Sequence, residues 1–200
     1  MPTSFAPLIL ASTSRYRREL LERLRVPFIC VSPLVDETPL VDETPLALAQ
    51  RLAVAKSQAV AVQYPNAYVI GSDQVLDLHG EPLGKPHTHD NAMAMLRRMS
   101  GQTMSFHTGV CVSHGTSTAL GVDTVDVQLK HLTDEQIERY LRLDTPYDCA
   151  GSLKSETLGI ALCSKIVSAD PSSQIGLPLI LMIQLLNQLG FDVLAHAGTT

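Results

Sequence analysis

Two long stretches of alternating apolar and polar residues, 103–113 and 119–131, flank a short turn rich in Gly and Ser. A period of two is typical of a half-buried strand, so the pair predicts a long antiparallel β-hairpin. Elsewhere, short apolar runs alternate with amphipathic helical segments, as in folds that join strands through helices. Together these patterns predict an α/β fold in which a mixed, twisted sheet with flanking helices includes a long hairpin.

The limits of the other elements follow from local signals. Further strands are predicted at residues 8–11, 26–32, 68–78 and 159–167. Helices are predicted after the N-cap residues Ser12–Ser14, Thr44, Thr88 and Thr133, and a last helix at residues 176–189 is predicted to end before Gly190. We expect the tail after about residue 194 to be frayed.

Composition limits the class of protein. The 200 residues, 45% apolar and 18% charged, are typical of one globular domain covering residues 1–200. A net charge of −5 argues against a nucleic-acid-coating surface. The sequence has neither a membrane-span pattern nor the charge order of a secretory signal. Its four scattered cysteines contain no CxxC pair, which favours a reducing cytoplasm.

The hexapeptide VDETPL occurs twice in succession, at residues 35–40 and 41–46. In the second copy, Thr44-Pro45 matches an N-cap followed by proline at the first helical position, with Asp42-Glu43 beside the positive helix end. The first copy lies in a loop after a predicted strand and has no such structural explanation. We therefore hypothesise that Asp36-Glu37 faces a substrate and that the second copy only begins a helix.

The segment Ser12-Thr13-Ser14 is followed by Arg15, Arg17 and Arg18 at the start of a predicted helix. Cations at that end oppose the helix dipole, so the arrangement is unfavourable unless an anion binds there. Backbone N–H groups, hydroxyls and guanidinium groups together suit a chain of phosphates. The alternative is a solvated basic face.

Asp73 interrupts an otherwise apolar strand. A buried carboxylate is costly unless it is paired, so this residue is either a satisfied structural Asp or a general base or metal ligand in a cleft. Asp36-Glu37 would add oxygen ligands for Mg²⁺. Lys56 and Lys85 are weak candidates by themselves, because each could equally be an ordinary surface lysine.

These motifs, in this order and at these intervals, resemble the Maf family of nucleoside triphosphate pyrophosphatases nearly from end to end. The segments that carry the resemblance are LILASTSRYRRELL, VDETP, RLAVAKS, VIGSDQV, GKP, MLRRMSGQ, CAGSLKSE and IGLPLI. The chain most resembles the YceF-like branch, which acts on 7-methyl-GTP. That branch has an aromatic residue before an Arg-Arg pair, Asp-Gln after Gly-Ser, and a late Lys-Ser-Glu, here Tyr16, Asp73-Gln74 and 154–156.

The resemblance implies a Maf/ITPase-like fold with two lobes around a cleft, and hydrolysis between the α and β phosphates of a nucleotide. It implies a homodimer and a divalent metal cofactor, Mg²⁺ or Mn²⁺. The implied roles are Asp73 as general base, Glu37 and Asp73 as metal ligands, Ser12, Arg17, Arg18, Lys56 and Lys85 as phosphate-binding residues, and Tyr16, Gln74 and Glu156 as base-selecting residues.

Two departures from the family pattern affect the nucleotide pocket: Arg15 replaces a common proline, and Tyr16 replaces the usual tryptophan of the branch. An aromatic face with a carboxylate suits the cationic base of 7-methyl-GTP. Two alternatives stay open. One is a dTTP or UTP pyrophosphatase of the same family, and the other is a nucleotide-binding regulator of cell division or septum formation.

Overall fold

A computed structural model describes residues 6–198 of the chain, which form one mixed sheet of seven strands flanked by six α-helices. In chain order the strands are β1 (Leu8–Ala11), β2 (Phe28–Cys30), β3 (Tyr68–Leu78), β4 (Glu81–Leu83), β5 (Thr103–His114), β6 (Ser117–Leu129) and β7 (Cys163–Val167). The helices are α1 (Arg15–Glu22), α2 (Pro45–Ala61), α3 (His89–Met99), α4 (Asp134–Asp144), α5 (Leu179–Gln188) and α6 (Val193–His196). Short 3₁₀ turns occur at residues 150–152, 158–162 and 173–175.

The sheet combines a parallel part with an antiparallel part, in the order β2-β1-β3-β5-β6-β7. Strands β2, β1 and β3 are parallel and are connected through α1 and α2. The remaining pairs are antiparallel, and β5 with β6 forms the predicted hairpin. The predicted mixed sheet with flanking helices and a long hairpin is therefore confirmed.

One edge of β3 is open in its middle. Strand β1 pairs with it as far as Ala11 and Gly71, and β4 pairs with it only from Leu76 onward. Between them, residues 72–75 have no strand partner on that side. Asp73 and Gln74 lie in this gap, and because side chains alternate along a strand, they leave it on opposite faces of the sheet.

Helix α2 lies unusually close to the sheet because two strand residues have no side chain. A Cβ atom at Gly71 would lie 2.3 Å from the carbonyl oxygen of Ala53, and one at Gly109 would lie 2.4 Å from that of Ala49. Both obstacles are helix backbone, which cannot move aside like a flexible side chain. The glycines therefore permit the close approach that brings Lys56 of α2 to Asp73 of β3.

Two hydrophobic cores occupy opposite ends of the long strands. One core joins α3 and α4 to one end of the sheet, and the other joins α1 and α5 to the opposite end. The first includes Leu76, Leu96, Phe106, Val127, Ile137 and Leu141. The second includes Leu10, Leu20, Ile70, Val112, Leu185 and Leu186. Strands β3, β5 and β6 contribute to both cores and so connect them.

Proline explains two differences between the predicted and observed limits. Strand β2 begins at Phe28 instead of residue 26, because Pro27 has no N–H group for the ladder. The helix predicted from residue 176 begins at Leu179, because Pro178 disfavours a helical conformation in the residue before it.

The C-terminal region differs in two further places. Strand β7 begins at Cys163 instead of residue 159, because residues 158–162 form a 3₁₀ turn. The tail after residue 194 begins within α6, which covers Val193–His196 and is capped by the side chain of Asp192. Thr199 and Thr200 lie outside the described residues. No helix of residues 6–198 is long and apolar enough to cross a membrane.

Candidate active site

A cleft of about 980 Å³ opens where the edge of β3 is unpaired. Its walls come from both lobes: the start of α1, the loop after β2, α2, the turn after β4, and loops near residues 150 and 175. The sequence-predicted residues that line it are Ser12, Tyr16, Arg17, Glu37, Lys56, Asp73, Gln74, Lys85 and Glu156. Arg18 does not line it.

Lys56 joins two acidic residues at the base of the cleft. Its Nζ lies 2.6 Å from Oδ1 of Asp73 and 2.7 Å from Oε1 of Glu37. Lys56 and Asp73 are only 5% and 8% exposed, whereas the Glu37 side chain is 58% exposed. Within the described residues, Oδ2 of Asp73 accepts no hydrogen bond, so this oxygen remains available to a bound molecule.

Arg17 brings a second cation to the same carboxylate. Its Nη2 lies 4.0 Å from Oδ1 of Asp73, and its Nε donates to the carbonyl oxygen of Gly176 at 2.9 Å. Burial lowers the pKa of Arg17, and the negative charges of Asp73 and Glu37 oppose that shift. An arginine stays protonated under such conditions, so the cleft contains a fixed positive charge.

The start of α1 has the geometry expected of an anion site. Ser14 is the N-cap, and its Oγ accepts from the backbone N–H of Arg17. Ser12 accepts from the N–H of Ser14 at 3.1 Å, and the first turn contains no acidic residue. Arg18 instead pairs with Glu22 one turn later at 3.0 Å. For this residue, the alternative interpretation as part of a solvated basic face is the one that fits.

Tyr16 stands on the wall of the cleft with cations near its ring. The guanidinium carbon of Arg15 lies 4.7 Å from the ring centroid, and Nζ of Lys154 lies 5.3 Å from it. The Tyr16 hydroxyl donates to Asp148, and burial raises the pKa of Tyr16. The ring is therefore placed where its face can interact with positive charge.

Two further ionisable residues line the cleft near Tyr16. Partial burial raises the pKa of Glu156, although Lys154 opposes the shift. Burial also raises the pKa of Cys149 to about 11. A thiol with that pKa stays protonated near neutral pH, so Cys149 fits a small packing residue better than a nucleophile.

The structure separates the two copies of the hexapeptide. In the first copy Glu37 lines the cleft, while Asp36 accepts from the N–H of Thr38 in a local turn. In the second copy Glu43 pairs with Arg51 of α2 at 2.6 Å, which lowers the pKa of Glu43 to about 2. The second copy therefore anchors the helix it begins, as predicted.

Gln174 is a cleft residue that the sequence reasoning missed. It lines the cleft, and its Nε2 is the one buried side-chain polar atom in residues 6–198 without a hydrogen-bond partner. A buried, unsatisfied donor costs about 1–3 kcal/mol, so its presence beside a cleft points to a ligand. The only signal in the sequence is an amide directly before the apolar segment 175–183.

The donor set suits a cation that arrives with a substrate. No group of three or more His, Cys, Asp or Glu in the described part of the chain could hold a metal ion alone. Asp73 and Glu37 nevertheless converge on the ammonium of Lys56, so both already face one positive charge. Mg²⁺ is commonly held by one or two carboxylates together with substrate phosphates and water, which these residues fit.

Comparison with known proteins gives three findings. A family model described as Maf-like protein matches residues 7–189. The 7-methyl-GTP pyrophosphatase of Polaromonas sp. (strain JS666) is 54% identical over 98% of this chain and 90% of that protein, and the protein of that name from Thiobacillus denitrificans is 53% identical over 96% of each. The Staphylococcus aureus Ham1 structure covers 62% of this chain and 72% of that chain, with 18% identity and a TM-score of 0.46.

Proposed function

The chain belongs to the Maf family, and from this premise we propose that it is a hydrolase that cleaves 7-methyl-GTP to 7-methyl-GMP and pyrophosphate. The curated relatives named 7-methyl-GTP pyrophosphatases support the reaction, since they match nearly the whole chain at about half identity. The observation that carries the proposal is Asp73, a buried carboxylate at the open edge of β3 between two cations. Such removal of modified nucleotides would be a house-cleaning activity.

The triphosphate binds across the start of α1 and the floor of the cleft. The Ser12 hydroxyl and the free N–H groups in the first turn of α1 donate to phosphate oxygens, and Arg17, Lys56 and Lys85 neutralise the phosphate charge. Arg17 and Lys56 are mostly shielded from water, so their attraction to phosphate is little screened. Lys85 is exposed at the rim of the cleft.

Asp73 acts as the general base. Its Oδ1 is held by Lys56, and its Oδ2 takes a proton from the attacking water. The water oxygen forms a bond to the α phosphorus, and the bond from that phosphorus to the oxygen bridging to the β phosphate breaks. Arg17 and Lys85 stabilise the charge that develops on the departing pyrophosphate. Glu37 and Asp73 would hold the implied Mg²⁺ or Mn²⁺, which neutralises phosphate charge when bound.

The base occupies the wall formed by Tyr16, Gln74 and Glu156. Methylation at N7 gives guanine a positive charge, which an aromatic face and a carboxylate both attract. Tyr16 and Glu156 both line the cleft, which supports this role. A neutral pyrimidine would gain neither attraction, which disfavours dTTP or UTP as the substrate.

The decisive experiment measures pyrophosphate release from 7-methyl-GTP, GTP, dTTP, UTP, CTP and ATP with Mg²⁺ or Mn²⁺. We expect 7-methyl-GTP to be preferred, and Asp73→Asn to lower kcat by about 10²- to 10⁴-fold. Asp77→Asn is the matched control, since it makes the same change on the same strand outside the cleft. Its turnover should match the wild type.

Other outcomes separate the alternatives. Preference for a pyrimidine triphosphate would be consistent with Asp73 as general base but would contradict the roles of Tyr16 and Glu156 in selecting the nucleotide base. Nucleotide binding without pyrophosphate release would favour a nucleotide-binding regulator. The homodimer implied by the resemblance and the cytoplasmic location favoured by the cysteine pattern stay predictions, and light scattering of the purified protein measures the first directly.

A further inference from the structure

Three neighbouring side chains on one face of the sheet converge on Ser173. Gln74, Thr108 and Asp123 occupy adjacent strands β3, β5 and β6 in direct register. Gln74 and Thr108 donate to the carbonyl oxygen of Ser173, at 2.8 Å and 3.4 Å. The hydroxyl of Ser173 donates to Oδ2 of Asp123.

These contacts determine which end of the Gln74 amide faces the cleft. Its Nε2 carries two hydrogens, one directed to Oγ1 of Thr108 at 3.0 Å and the other to the carbonyl oxygen of Ser173. A carbonyl oxygen can only accept, so the nitrogen must point toward Ser173. The remaining atom, Oε1, has no partner within residues 6–198 and belongs to a cleft-lining residue. The pocket therefore presents an acceptor at this position.

Ser173 is itself held in place. It is fully buried, and the residue before it is fixed by Asp170, whose Oδ1 accepts from both the N–H and the hydroxyl of Ser172. Asp170 also accepts from the N–H of Ile180 in the first turn of α5. The carbonyl oxygen of Ser173 thus has a defined position from which it orients Gln74.

We propose that Ser173 is a positioning residue that sets the hydrogen-bonding polarity of the base pocket and thereby selects guanine over adenine. The inference rests on the proposed function for the placement of the base. With the Gln74 amide fixed, Gln74 and Glu156 both offer acceptors. The Watson–Crick edge of guanine carries two adjacent donor groups, N1–H and the 2-amino group, whereas that of adenine carries one donor group beside an acceptor.

The test measures equilibrium binding of the α,β-methylene analogues of GTP and ATP, which cannot be cleaved between those phosphates. The quantity compared is the Kd for the adenosine analogue divided by the Kd for the guanosine analogue. Ser173→Ala keeps the carbonyl oxygen that accepts from Gln74 but removes the hydroxyl bond to Asp123 that holds this residue in place. It should therefore lower the ratio roughly three- to tenfold, the change expected for one hydrogen bond, mainly through weaker guanosine binding.

Coupling to Gln74 distinguishes positioning from a general structural effect. Gln74→Met should lower the ratio to a similar extent, and adding Ser173→Ala to it should lower it no further. Thr108→Val removes the other partner of the amide without changing the loop, and should act in the same direction. Ser105→Ala is the matched control, since it breaks a Ser–Asp hydrogen bond between Ser105 of β5 and Asp126 of β6, outside the cleft.

Three results would overturn the inference: no guanine preference in the wild type, equal weakening of both analogues by Ser173→Ala and by Thr108→Val, or additive effects of Ser173→Ala and Gln74→Met. Because this test measures binding and not turnover, its result does not depend on whether the proposed reaction takes place. A chain that prefers the guanosine analogue yet releases no pyrophosphate would contradict the reaction and still support the role of Ser173.

Discussion

The burial of Lys56 differs from what the sequence alone led us to expect. A lysine in a helix rich in Ala, Val and Leu could equally have pointed to solvent, yet this one is 5% exposed and contacts two carboxylates. A buried ammonium is tolerated only when it is paired, and Asp73 and Glu37 supply the pairing. Asp73 is the buried partner, so its removal would leave the ammonium paired only with the exposed Glu37.

The duplicated hexapeptide gives a matched pair of substitutions. Glu37→Gln should lower turnover at least tenfold with an unchanged melting temperature, because the Glu37 side chain is exposed and, within residues 6–198, its ion pair is with the site residue Lys56. Glu43→Gln should lower the melting temperature and leave turnover unchanged, because it weakens the ion pair with Arg51. Steady-state kinetics and thermal unfolding measure both effects. Equal effects of the two substitutions on turnover would contradict the assignment of the copies.

Gln174 gives a second prediction at this scale. Rotation of its side chain toward the cleft would give the buried Nε2 an acceptor on a bound nucleotide. Gln174→Met keeps the length of the side chain but removes the unsatisfied donor, so the melting temperature should stay the same or rise. The KM for the nucleotide should rise roughly three- to tenfold with kcat unchanged. An unchanged KM would assign Gln174 no part in binding.

At the scale of elements, the contact between α2 and the sheet determines the site. Gly71→Ala would place a methyl group against the backbone of α2, so the free energy of unfolding should fall by about 3 kcal/mol, the upper end of the usual range for overpacking. Displacement of α2 should also separate Lys56 from Asp73 and lower turnover. Denaturant titration and kinetics measure the two effects.

Gly84 provides the control for this prediction. A Cβ atom there would have no heavy atom within 4 Å, so Gly84→Ala should leave the free energy of unfolding nearly unchanged. If Gly71→Ala were equally harmless, α2 would have room to move away from the sheet. Its close approach would then not be what positions Lys56.

At the scale of the whole molecule, β3, β5 and β6 run through both hydrophobic cores. We expect the chain to unfold as one unit, consistent with a single domain, because neither core can lose its strands without exposing the other. Leu96→Ala in one core and Leu20→Ala in the other should each lower the free energy of unfolding by about 2–5 kcal/mol. Calorimetry should show one shared transition for each variant. Two separate transitions would indicate independent lobes.

The sequence alone determined the elements whose signals are local. Alternation predicted the β5–β6 hairpin, and Thr44, Thr88 and Thr133 are the N-caps of α2, α3 and α4. Ordered motifs indicated nine of the residues that line the cleft. These predictions succeeded because side-chain period and capping depend on a few neighbouring residues.

Only the tertiary structure decided which of those residues meet. The open edge of β3 depends on where β1 and β4 end, and the burial of Lys56 depends on two glycines distant from it in the chain. The unsatisfied amide of Gln174 and the convergence on Ser173 likewise arise from contacts between remote segments. The local sequence does not predict such contacts, because they depend on how whole elements pack.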